Sequence, residues 1–393
     1  MTDPTNKPAR ILIVDDSIVN RMLLSRELEK QGHQFKLAEN GKVALEILTA
    51  ENYDLILLDI EMPELDGYQT LAHLKKDDKL RHLPVIMVTA IDDLASAVRC
   101  IELGADDYLP KPFDPVLLRA RVSASLEKKR LRDREQAHLR SLERELEIGH
   151  DIQLSFLPAE IPQIDGWEIA ASLKSAREVA GDFYDVFETD GNICLVIGDV
   201  CDKGVGAALF MTLFRSLLRF TVTAKTTLGK LSPAEKLNYA VTMTNNYVAN
   251  THGDTGMFAT VFIGLLDPKS GALRYINAGH ERPILISKHS DDLQALKTTG
   301  AAIGVMPDWE YTVEEIRLNK NDLLFGFTDG VPEVEDEQGT FFGKTRLFEI
   351  LNNKIHSPSE LLDKINEMLN IHLGDAKQFD DITLIAAQRS PEK

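Results

Sequence analysis

The chain has 393 residues, 44% of them hydrophobic, and carries a formal net charge of −18. This length exceeds what one ordinary hydrophobic core can organise, so two or three domains are expected. The negative charge argues against nonspecific binding to nucleic acid or to anionic membranes. A polar start, no apolar stretch long enough for a membrane span, and three cysteines without paired spacing predict a reduced, cytoplasmic protein.

Residues 10–120 alternate short apolar runs with helical patterns. The runs lack polar alternation, which is typical of parallel strands buried on both faces. We therefore predict a doubly wound, five-stranded parallel α/β domain preceded by a disordered segment, residues 1–9. The predicted strands are Ile11–Val14, Gln34–Leu37, Leu55–Leu58, Val85–Val88 and Tyr108–Leu109, and the predicted helices are Ile18–Gln31, Lys42–Ala50, Gly67–Lys76 and Asp93–Leu103.

Polar residues follow four of these strands at their carboxyl ends, namely Asp15, Asp16, Asp59, Thr89 and Lys111. In doubly wound folds the carboxyl ends of the strands meet at one crevice, where ligands bind. Carboxylates there would hold Mg²⁺, and Asp59 could then attack a phosphoryl group while Thr89 and Lys111 hold the product oxygens. The alternative is that Asp15, Asp16 and Thr89 merely cap the helices that follow them.

Over essentially its whole length this segment resembles the receiver domain of two-component response regulators. The resemblance is carried by Asp15-Asp16, Leu58–Gly67, Val88–Ala90 and Lys111–Phe113. It implies a flavodoxin-like (CheY-like) fold in which Asp59 is the phosphoacceptor. It also implies that Mg²⁺ is bound by Asp16, Asp59 and the Glu61 carbonyl, with Asp15 assisting.

The same resemblance assigns a switch pair and a partner. Thr89 and Tyr108 would form the switch pair, and the peptide bond between Lys111 and Pro112 would be cis, a form accessible mainly before proline. A sensor histidine kinase or a phosphotransfer protein would supply the phosphoryl group.

Residues 119–150 are nearly free of Gly and Pro and are crowded with charges of both signs. A thin apolar stripe at three- and four-residue spacing predicts a helical linker, residues 121–160, that forms a coiled coil in a homodimer. Pro158 and Pro162 are expected to end it. Because charged residues interrupt the stripe, a single solvated helix is the alternative. The stripe consists of Leu118, Val122, Leu126, Leu139, Leu142 and Leu146.

Residues 161–393 are predicted to form an α+β domain, because many strands occur with helices gathered in two places. The predicted strands are Glu168–Leu173, Phe183–Glu188, Ile193–Val200, Ala259–Leu266, Leu273–Ala278, Pro283–Ser287, Tyr311–Arg317, Asp322–Phe327 and Ile382–Ala387. The predicted helices are Val205–Ala224, Pro233–Asn250 and two more between Lys344 and Ile371.

Acidic residues recur beside glycine or in a doublet at the predicted strand ends of this domain, namely Asp182, Asp199, Asp329 and Asp380-Asp381. If they gather, their oxygens suit two Mg²⁺ or Mn²⁺ ions. Two such ions can activate a water for attack on a phosphoester without a nucleophilic side chain. Taken singly, each Asp-Gly pair is more simply a turn.

From about Asp151 onward the chain resembles the SpoIIE-like branch of metal-dependent PPM-type Ser/Thr protein phosphatases. The matching motifs are Asp151–Pro158, Ala180–Asp185, Gly198–Gly204, Asn277–His280, Phe327–Gly330 and Phe379–Thr383. The resemblance implies a central β-sandwich of two sheets flanked by helices. Asp182 and Asp199 would be metal ligands, with Asp199 bridging both ions and the Val200 carbonyl adding a ligand. Asp329 and Asp380 would complete the shell of the second ion.

Asp381 and His280 are interpreted as accessory residues. For His280 a structural role in a turn is favoured over proton transfer, since a metal-hydroxide mechanism needs no further base. The chain departs from the usual pattern at Ala180 and at Cys201-Asp202, positions that supply no ligand. No phosphate-clamping arginine is evident from the sequence.

The resulting hypothesis is a response regulator in which phosphorylation of Asp59 controls a phosphoprotein phosphatase. By resemblance, the substrate would be a phosphorylated STAS-type anti-sigma factor antagonist, which is an argument by analogy. The alternative is a phosphorylation-gated scaffold without turnover. A DNA-binding regulator is excluded by the negative charge and by the lack of a recognition-helix module.

Overall fold

The structure is a computed structural model that describes residues 8–90, 94–224, 231–287, 293–352 and 357–390. Most of the segment predicted to be disordered, and the first residue of the predicted helix at Asp93, lie outside these ranges. The chain divides into two compact units, Met1–Leu142 and Glu143–Lys393. The division falls inside the predicted linker.

The first unit contains a five-stranded parallel sheet with the order β2-β1-β3-β4-β5. Its strands are β1 Arg10–Val14, β2 Gln34–Ala38, β3 Leu55–Asp59, β4 Val85–Ala90 and β5 Asp107–Lys111. Its helices are α1 Ile18–Lys30, α2 Gly41–Ala50, α3 Gly67–Lys76, α4 Leu94–Glu102 and the start of α5 Pro115–Leu154. The predicted doubly wound α/β architecture is confirmed.

Alternate residues of β1 pack against opposite layers of helices, as the two-residue repeat of a strand requires. Ile11 and Ile13 contact the core formed with α1 and α5. Leu12 and Val14 contact the core formed with α2, α3 and α4. Both faces of the sheet are therefore buried, which explains why the strand sequences lack polar residues.

Polar side chains fix where the helices of the first unit begin. Ser17, Asn40 and Asp66 accept hydrogen bonds from backbone N–H groups in the first turns of α1, α2 and α3. These are the N-cap residues, and each satisfies one otherwise unpaired backbone donor. The cap of α1 is thus Ser17, so neither Asp15 nor Asp16 fills that position.

Helix α5 differs from the prediction of a receiver ending at residue 120 and a separate linker. It is one helix of 40 residues, Pro115–Leu154. Leu118, Val122 and Leu126 are buried in the core of the first unit, so the first half of the apolar stripe packs on the sheet and is not a dimer seam. The helix ends before both prolines, where Gln153 exchanges two hydrogen bonds with the backbone of Ala180.

The second unit contains two five-stranded sheets with the orders β13-β10-β9-β8-β7 and β12-β11-β14-β15-β6. Their strands are β6 Trp167–Lys174, β7 Phe183–Thr189, β8 Asn192–Val200, β9 Ala259–Leu266, β10 Ala272–Ala278, β11 Ile284–Ile286, β12 Leu293–Ala295, β13 Glu314–Arg317, β14 Leu323–Phe327 and β15 Ile382–Arg389. The helices are α6 Val205–Thr223, α7 Pro233–His252, α8 Gly343–Leu351 and α9 Pro358–Leu373, with a short 3₁₀ turn at Gly253–Thr255.

Three hydrophobic clusters order these elements into layers. One lies between the two sheets and includes Ile197 and Ile385, a second joins the first sheet to α6 and α7, and a third joins the other sheet to α8 and α9. The predicted sandwich flanked by helices is therefore confirmed. The prediction missed the short edge strand β12, and it extended β13 back to Tyr311, which is buried beside α6 and α7.

Helix α6 corrects the expectation that no apolar stretch is long enough to span a membrane. By length and composition it could do so, although 39% of its apolar window is buried in the unit. Its buried residues, such as Met211, Phe214 and Leu218, pack against the sheet. The inner helix of a layered domain meets the same criterion, so the composition of α6 is explained by packing.

The two arginines of α6 converge on one buried carboxylate of β7. Arg215 Nη2 lies 3.0 Å from Asp185 Oδ2, and Arg219 Nη1 lies 2.8 Å from Asp185 Oδ1. Burial raises the pKa of Asp185, although both guanidinium groups oppose that effect. This cluster attaches α6 to the strand that begins next to Asp182.

We predict that Asp185→Ala destabilises the second unit by about 3 kcal/mol or more, because it leaves the buried Arg215 without a counter-charge. Both tryptophans lie in this unit, so urea unfolding followed by tryptophan fluorescence reports on it. Glu367→Ala is the control, since its pair with Lys364 is exposed and should contribute less than about 1 kcal/mol. Equal losses in both variants would contradict the prediction.

Candidate functional site

The first candidate site lies at the carboxyl ends of β1 and β3. Carboxylate oxygens of Asp15, Asp16 and Asp59 lie within 4.8 Å of one another. Asp15 and Asp59 are buried, whereas Asp16 is exposed. Glycine is required at position 67 by close packing against the backbone of Asp59, because a Cβ atom there would lie 2.1 Å from the Asp59 carbonyl oxygen. The structure thus brings together the three carboxylates expected from the strand ends.

Lys111 partly balances the charge of this cluster. Its Nζ lies 2.8 Å from Asp59 Oδ1 and 3.1 Å from Asp15 Oδ2. Burial raises the pKa of Asp59 to about 6, Lys111 opposes the rise and the charge of Asp15 adds to it. Three carboxylates facing one ammonium leave excess negative charge, and oxygen-only donors of this kind fit a hard divalent cation.

The remaining predicted residues of this unit occupy different positions. Thr89 is buried at the end of β4. Tyr108 is half-buried on β5, with the Arg121 guanidinium 5.5 Å from its ring centroid, and Glu61 is exposed. The peptide bond between Lys111 and Pro112 is cis, as predicted. The switch pair and the Glu61 carbonyl ligand stay predictions.

The second candidate site combines acidic residues from both sheets of the second unit. Asp182 precedes β7 and Asp199 lies near the end of β8, whereas Asp329 follows β14 and Asp380 precedes β15. Their charges interact: burial raises the pKa of Asp199 to about 7, and Asp329 and Asp380 add to the rise. Burial also raises the pKa of Asp329 to about 6. The strand ends therefore place these carboxylates around one acidic centre.

Two hydroxyl groups orient Asp182, which is buried. Thr328 and Thr383 each donate from Oγ1 to Asp182 Oδ2 at 2.7 Å. Burial, with the nearby charges of Asp199 and Asp381, raises the pKa of Asp182. Neither threonine was predicted to have a role from the sequence, although they stand inside the Phe327–Gly330 and Phe379–Thr383 motifs.

Asp381 fixes the backbone that carries Asp182. Its carboxylate accepts hydrogen bonds from the N–H groups of Ala176 and Gly181, both at 2.7 Å, and from that of Asp182 at 3.5 Å. Both carboxylate oxygens are thus used by the backbone. The geometry makes Asp381 a positioning residue for the Asp182 loop.

The donor set of the second site fits hard cations. Most of its donors are carboxylate oxygens. The Val200 carbonyl oxygen lies close to the backbone of Gly181, the neighbour of Asp182, since a Cβ atom built on Gly181 would be 3.2 Å from it. In the described ranges, three acidic side chains with oxygen atoms all within 4.8 Å of one another occur only in the first unit. The carboxylates of the second site are therefore spaced more widely than those of the first. Magnesium and manganese both accept such oxygen ligands.

His280 is buried beside the sheet that contains β9 and β10, and two hydrogen bonds hold it in place. Its Nδ1 lies 2.9 Å from Thr260 Oγ1, and its backbone N–H donates to Asn277 Oδ1 at 2.8 Å. Burial lowers the pKa of its imidazole to about 3. A ring that stays neutral near pH 7 suits the structural role favoured by the sequence.

Lys203 is a further residue at the acidic centre, and the sequence did not predict it. Its Nζ lies 2.8 Å from Asp380 Oδ2. In the sequence, only the position of Lys203 inside the Gly198–Gly204 motif indicated a role. A lysine in a turn is usually a solvated charge, so that indication was weak. Contact with Asp380, distant in sequence, could not be read from the chain.

We predict that the His280 imidazole does not titrate between pH 8 and pH 5, because a pKa near 3 keeps it neutral throughout. The measurement is a pH titration of its ring resonances by NMR, assigned with a His280→Gln variant. A titration midpoint near 6.5, the ordinary value for histidine, would contradict the buried neutral ring.

We also predict that Asp381→Asn weakens Mn²⁺ binding about tenfold or more, because the amide NH₂ cannot accept a hydrogen bond from the backbone of the Asp182 loop. Calorimetric titration with Mn²⁺ measures the affinity directly. Asp363→Asn, an exposed change on α9 with the same loss of charge, is the control. Unchanged affinity in Asp381→Asn would refute the positioning role.

Two family models match the chain, one in each half. The response regulator receiver domain matches residues 11–123, and Stage II sporulation protein E (SpoIIE) matches residues 189–390. The second match covers half of the chain and includes Asp199, Asp329 and Asp380. Asp182 lies just ahead of it.

Similar proteins support the same division. Protein IcfG of Synechocystis sp. is 42% identical over 264 residues, which is 63% of this chain and 42% of IcfG. Phosphoserine phosphatase RsbU of Bacillus subtilis is 28% identical over 246 residues, 62% of this chain and 70% of RsbU. The SiaA-PP2C domain of Pseudomonas aeruginosa has a TM-score of 0.53 at 22% identity, covers 64% of this chain and 98% of that domain, and shows a shared fold. The chain belongs to the SpoIIE family and carries a response regulator receiver domain ahead of its SpoIIE domain.

Proposed function

We propose that this chain is a two-component response regulator in which phosphorylation of Asp59 controls a metal-dependent Ser/Thr protein phosphatase. The observation that carries the proposal is the meeting of strand ends from the two sheets, where Thr328 and Thr383 both donate to Asp182 Oδ2 at 2.7 Å. The raised pKa of Asp199, to which the charges of Asp329 and Asp380 contribute, agrees with it. Buried like charges are costly unless a ligand compensates them, so their gathering indicates a cation-binding centre. Membership of the SpoIIE family agrees with this interpretation.

The proposed cation ligands are Asp182, Asp199 and the Val200 carbonyl, together with Asp329 and Asp380. Two Mg²⁺ or Mn²⁺ ions bound there would supply hydroxide near neutral pH and positive charge at the phosphoryl group. Neighbouring side chains of the protein would orient the ligand carboxylates. Both hydroxyl contacts of Asp182 go to Oδ2, which leaves Oδ1 available for a ligand bond.

The first unit is proposed to receive the phosphoryl group on Asp59. The Lys111 ammonium and the Ile60 N–H both contact Asp59 Oδ1, so Oδ2 is the oxygen available for attack. Mg²⁺ held by Asp15, Asp16 and Asp59 would neutralise the incoming phosphate. A sensor histidine kinase or a phosphotransfer protein is the proposed donor.

The proposed substrate is a phosphoserine or phosphothreonine of a STAS-type anti-sigma factor antagonist. The name of RsbU, phosphoserine phosphatase, supports the phosphoserine class. This chain spans only 42% of the length of IcfG, so the assignment rests on the shared domain. A cytoplasmic location fits such a partner, and a homodimer would use the exposed later part of the stripe, including Leu139 and Leu142.

We predict that the purified chain hydrolyses p-nitrophenyl phosphate with Mn²⁺ and that Asp199→Asn lowers the turnover at least about a hundredfold, because a proposed cation ligand loses its negative charge. Asp308→Asn, an exposed change in the same unit, is the control and should retain the rate. Absence of turnover in a folded wild-type chain would favour the scaffold alternative.

Control of the phosphatase through Asp59 is tested by the same assay after treatment with beryllofluoride, which mimics the phosphoryl group. The wild-type rate should change, and the rate of Asp59→Asn should not, because that variant lacks the acceptor carboxylate. A variant that still responds as fully as the wild type would refute control through Asp59.

A further inference from the structure

Lys203 stands in a sharply defined turn between β8 and α6. Asp202 and Gly204 on either side of it have positive φ values of 70° and 82°. The backbone N–H of Lys203 donates to Asp202 Oδ1 at 2.8 Å. Positive φ values are uncommon outside glycine, so two of them on either side of Lys203 restrict this turn to a narrow set of conformations. The position of the lysine is therefore set by the backbone.

The ammonium group is held by three contacts at the rim of the acidic centre. Its Nζ lies 2.8 Å from Asp380 Oδ2, 3.0 Å from the Phe379 carbonyl oxygen and 3.7 Å from the centroid of the Phe379 ring. The ring contact is a cation–π interaction, an electrostatic attraction between the ammonium and the face of the aromatic ring. The Lys203 side chain is 26% exposed, so solvent and ligands can reach it.

A protonated lysine has three N–H donors. Asp380 and the Phe379 carbonyl oxygen accept two of them, and in the described ranges of the chain no third acceptor atom is hydrogen-bonded to Nζ. The ammonium therefore does not need to leave Asp380 in order to bind a further acceptor. A phosphoryl oxygen is an acceptor that such a donor binds strongly.

Charge supports the same conclusion. Within the described ranges, Lys203 is the one lysine or arginine that forms an ion pair with any of the five acidic residues of the centre. A phosphomonoester carries up to two negative charges and would be repelled by uncompensated carboxylates. A fixed ammonium at the rim provides positive charge from the protein itself.

We propose that Lys203 is a substrate-binding residue whose third N–H donates to a phosphoryl oxygen of the phosphomonoester. The inference rests on the proposed phosphatase function and names the group that holds the phosphate. Asp380 and Phe379 position the ammonium, and the Phe379 side chain is largely exposed beside it.

The test compares Lys203→Gln with the wild type in the full chain at saturating Mn²⁺. The KM for p-nitrophenyl phosphate and the inhibition constant of inorganic phosphate should both rise about tenfold or more, because a charged hydrogen bond to the phosphate is lost. The kcat should fall less. Lys203→Arg should recover part of the loss, and Lys364→Gln, an exposed change of equal charge, should have no effect.

Calorimetry separates phosphate binding from support of the metal site. Mn²⁺ should bind Lys203→Gln at least as tightly as the wild type, since the ammonium shares Asp380 with the cation. Inorganic phosphate titrated into the Mn²⁺-loaded Lys203→Gln protein should bind more weakly than it binds the wild type. This measurement does not depend on turnover, so it tests the role of Lys203 even if the proposed phosphatase function fails.

Three results would overturn the inference. One is an unchanged KM and unchanged phosphate affinity in Lys203→Gln. Another is loss of Mn²⁺ binding in that variant, which would make the lysine a support of the metal site. The third is a rise in KM in Arg177→Gln but not in Lys203→Gln, which would assign phosphate binding to the arginine. Arg177 is exposed, and its Nη1 would lie 3.9 Å from a Cβ atom built on Gly204.

Discussion

Repulsion between carboxylates is the constraint on which both units depend. In each, carboxylates brought together by the ends of buried strands face one lysine, Lys111 in the first unit and Lys203 in the second. Burial and neighbouring charges raise the pKa of Asp59 in the first unit and of Asp182, Asp199 and Asp329 in the second. Such a grouping opposes folding, and it persists only where neighbouring groups compensate it. The structure supplies backbone N–H groups, hydroxyls and an ammonium, yet these do not balance the charge.

The incomplete balance favours the proposed binding of a cation. A centre that is already neutral would gain little from binding a cation, whereas one with excess negative charge binds it favourably. In the second unit Asp381 and the two threonines hold Asp182 without adding positive charge. They fix its geometry and leave its charge available to a ligand.

Much of this arrangement could be predicted from the sequence, because strand-end carboxylates stand next to apolar runs. Asp59 and Asp199 were identifiable for that reason, and the layered architecture followed from the order of the strands. The roles of Thr328, Asp381 and Lys203 could not be predicted, because each depends on a contact between distant parts of the chain. Asp381, for example, contacts Gly181 across 200 residues.

The helical linker shows a different limit. A spacing of threes and fours indicates one buried face of a helix, but it does not say what covers that face. Leu118, Val122 and Leu126 share this pattern with Leu139 and Leu142, yet the first three are buried in the first unit and the other two are exposed. The pattern is the same for packing on a sheet and for pairing with a second helix.

The burial of Val122 and Leu126 also bears on how receivers are exchanged between proteins during evolution. A receiver cut at residue 120 would lose part of its own core, so an intact module has to carry at least the helix as far as Leu126. Recombination within the exposed stretch that follows would preserve the cores of both neighbours. The long helix thus provides a tolerant junction at which one sensory input can replace another.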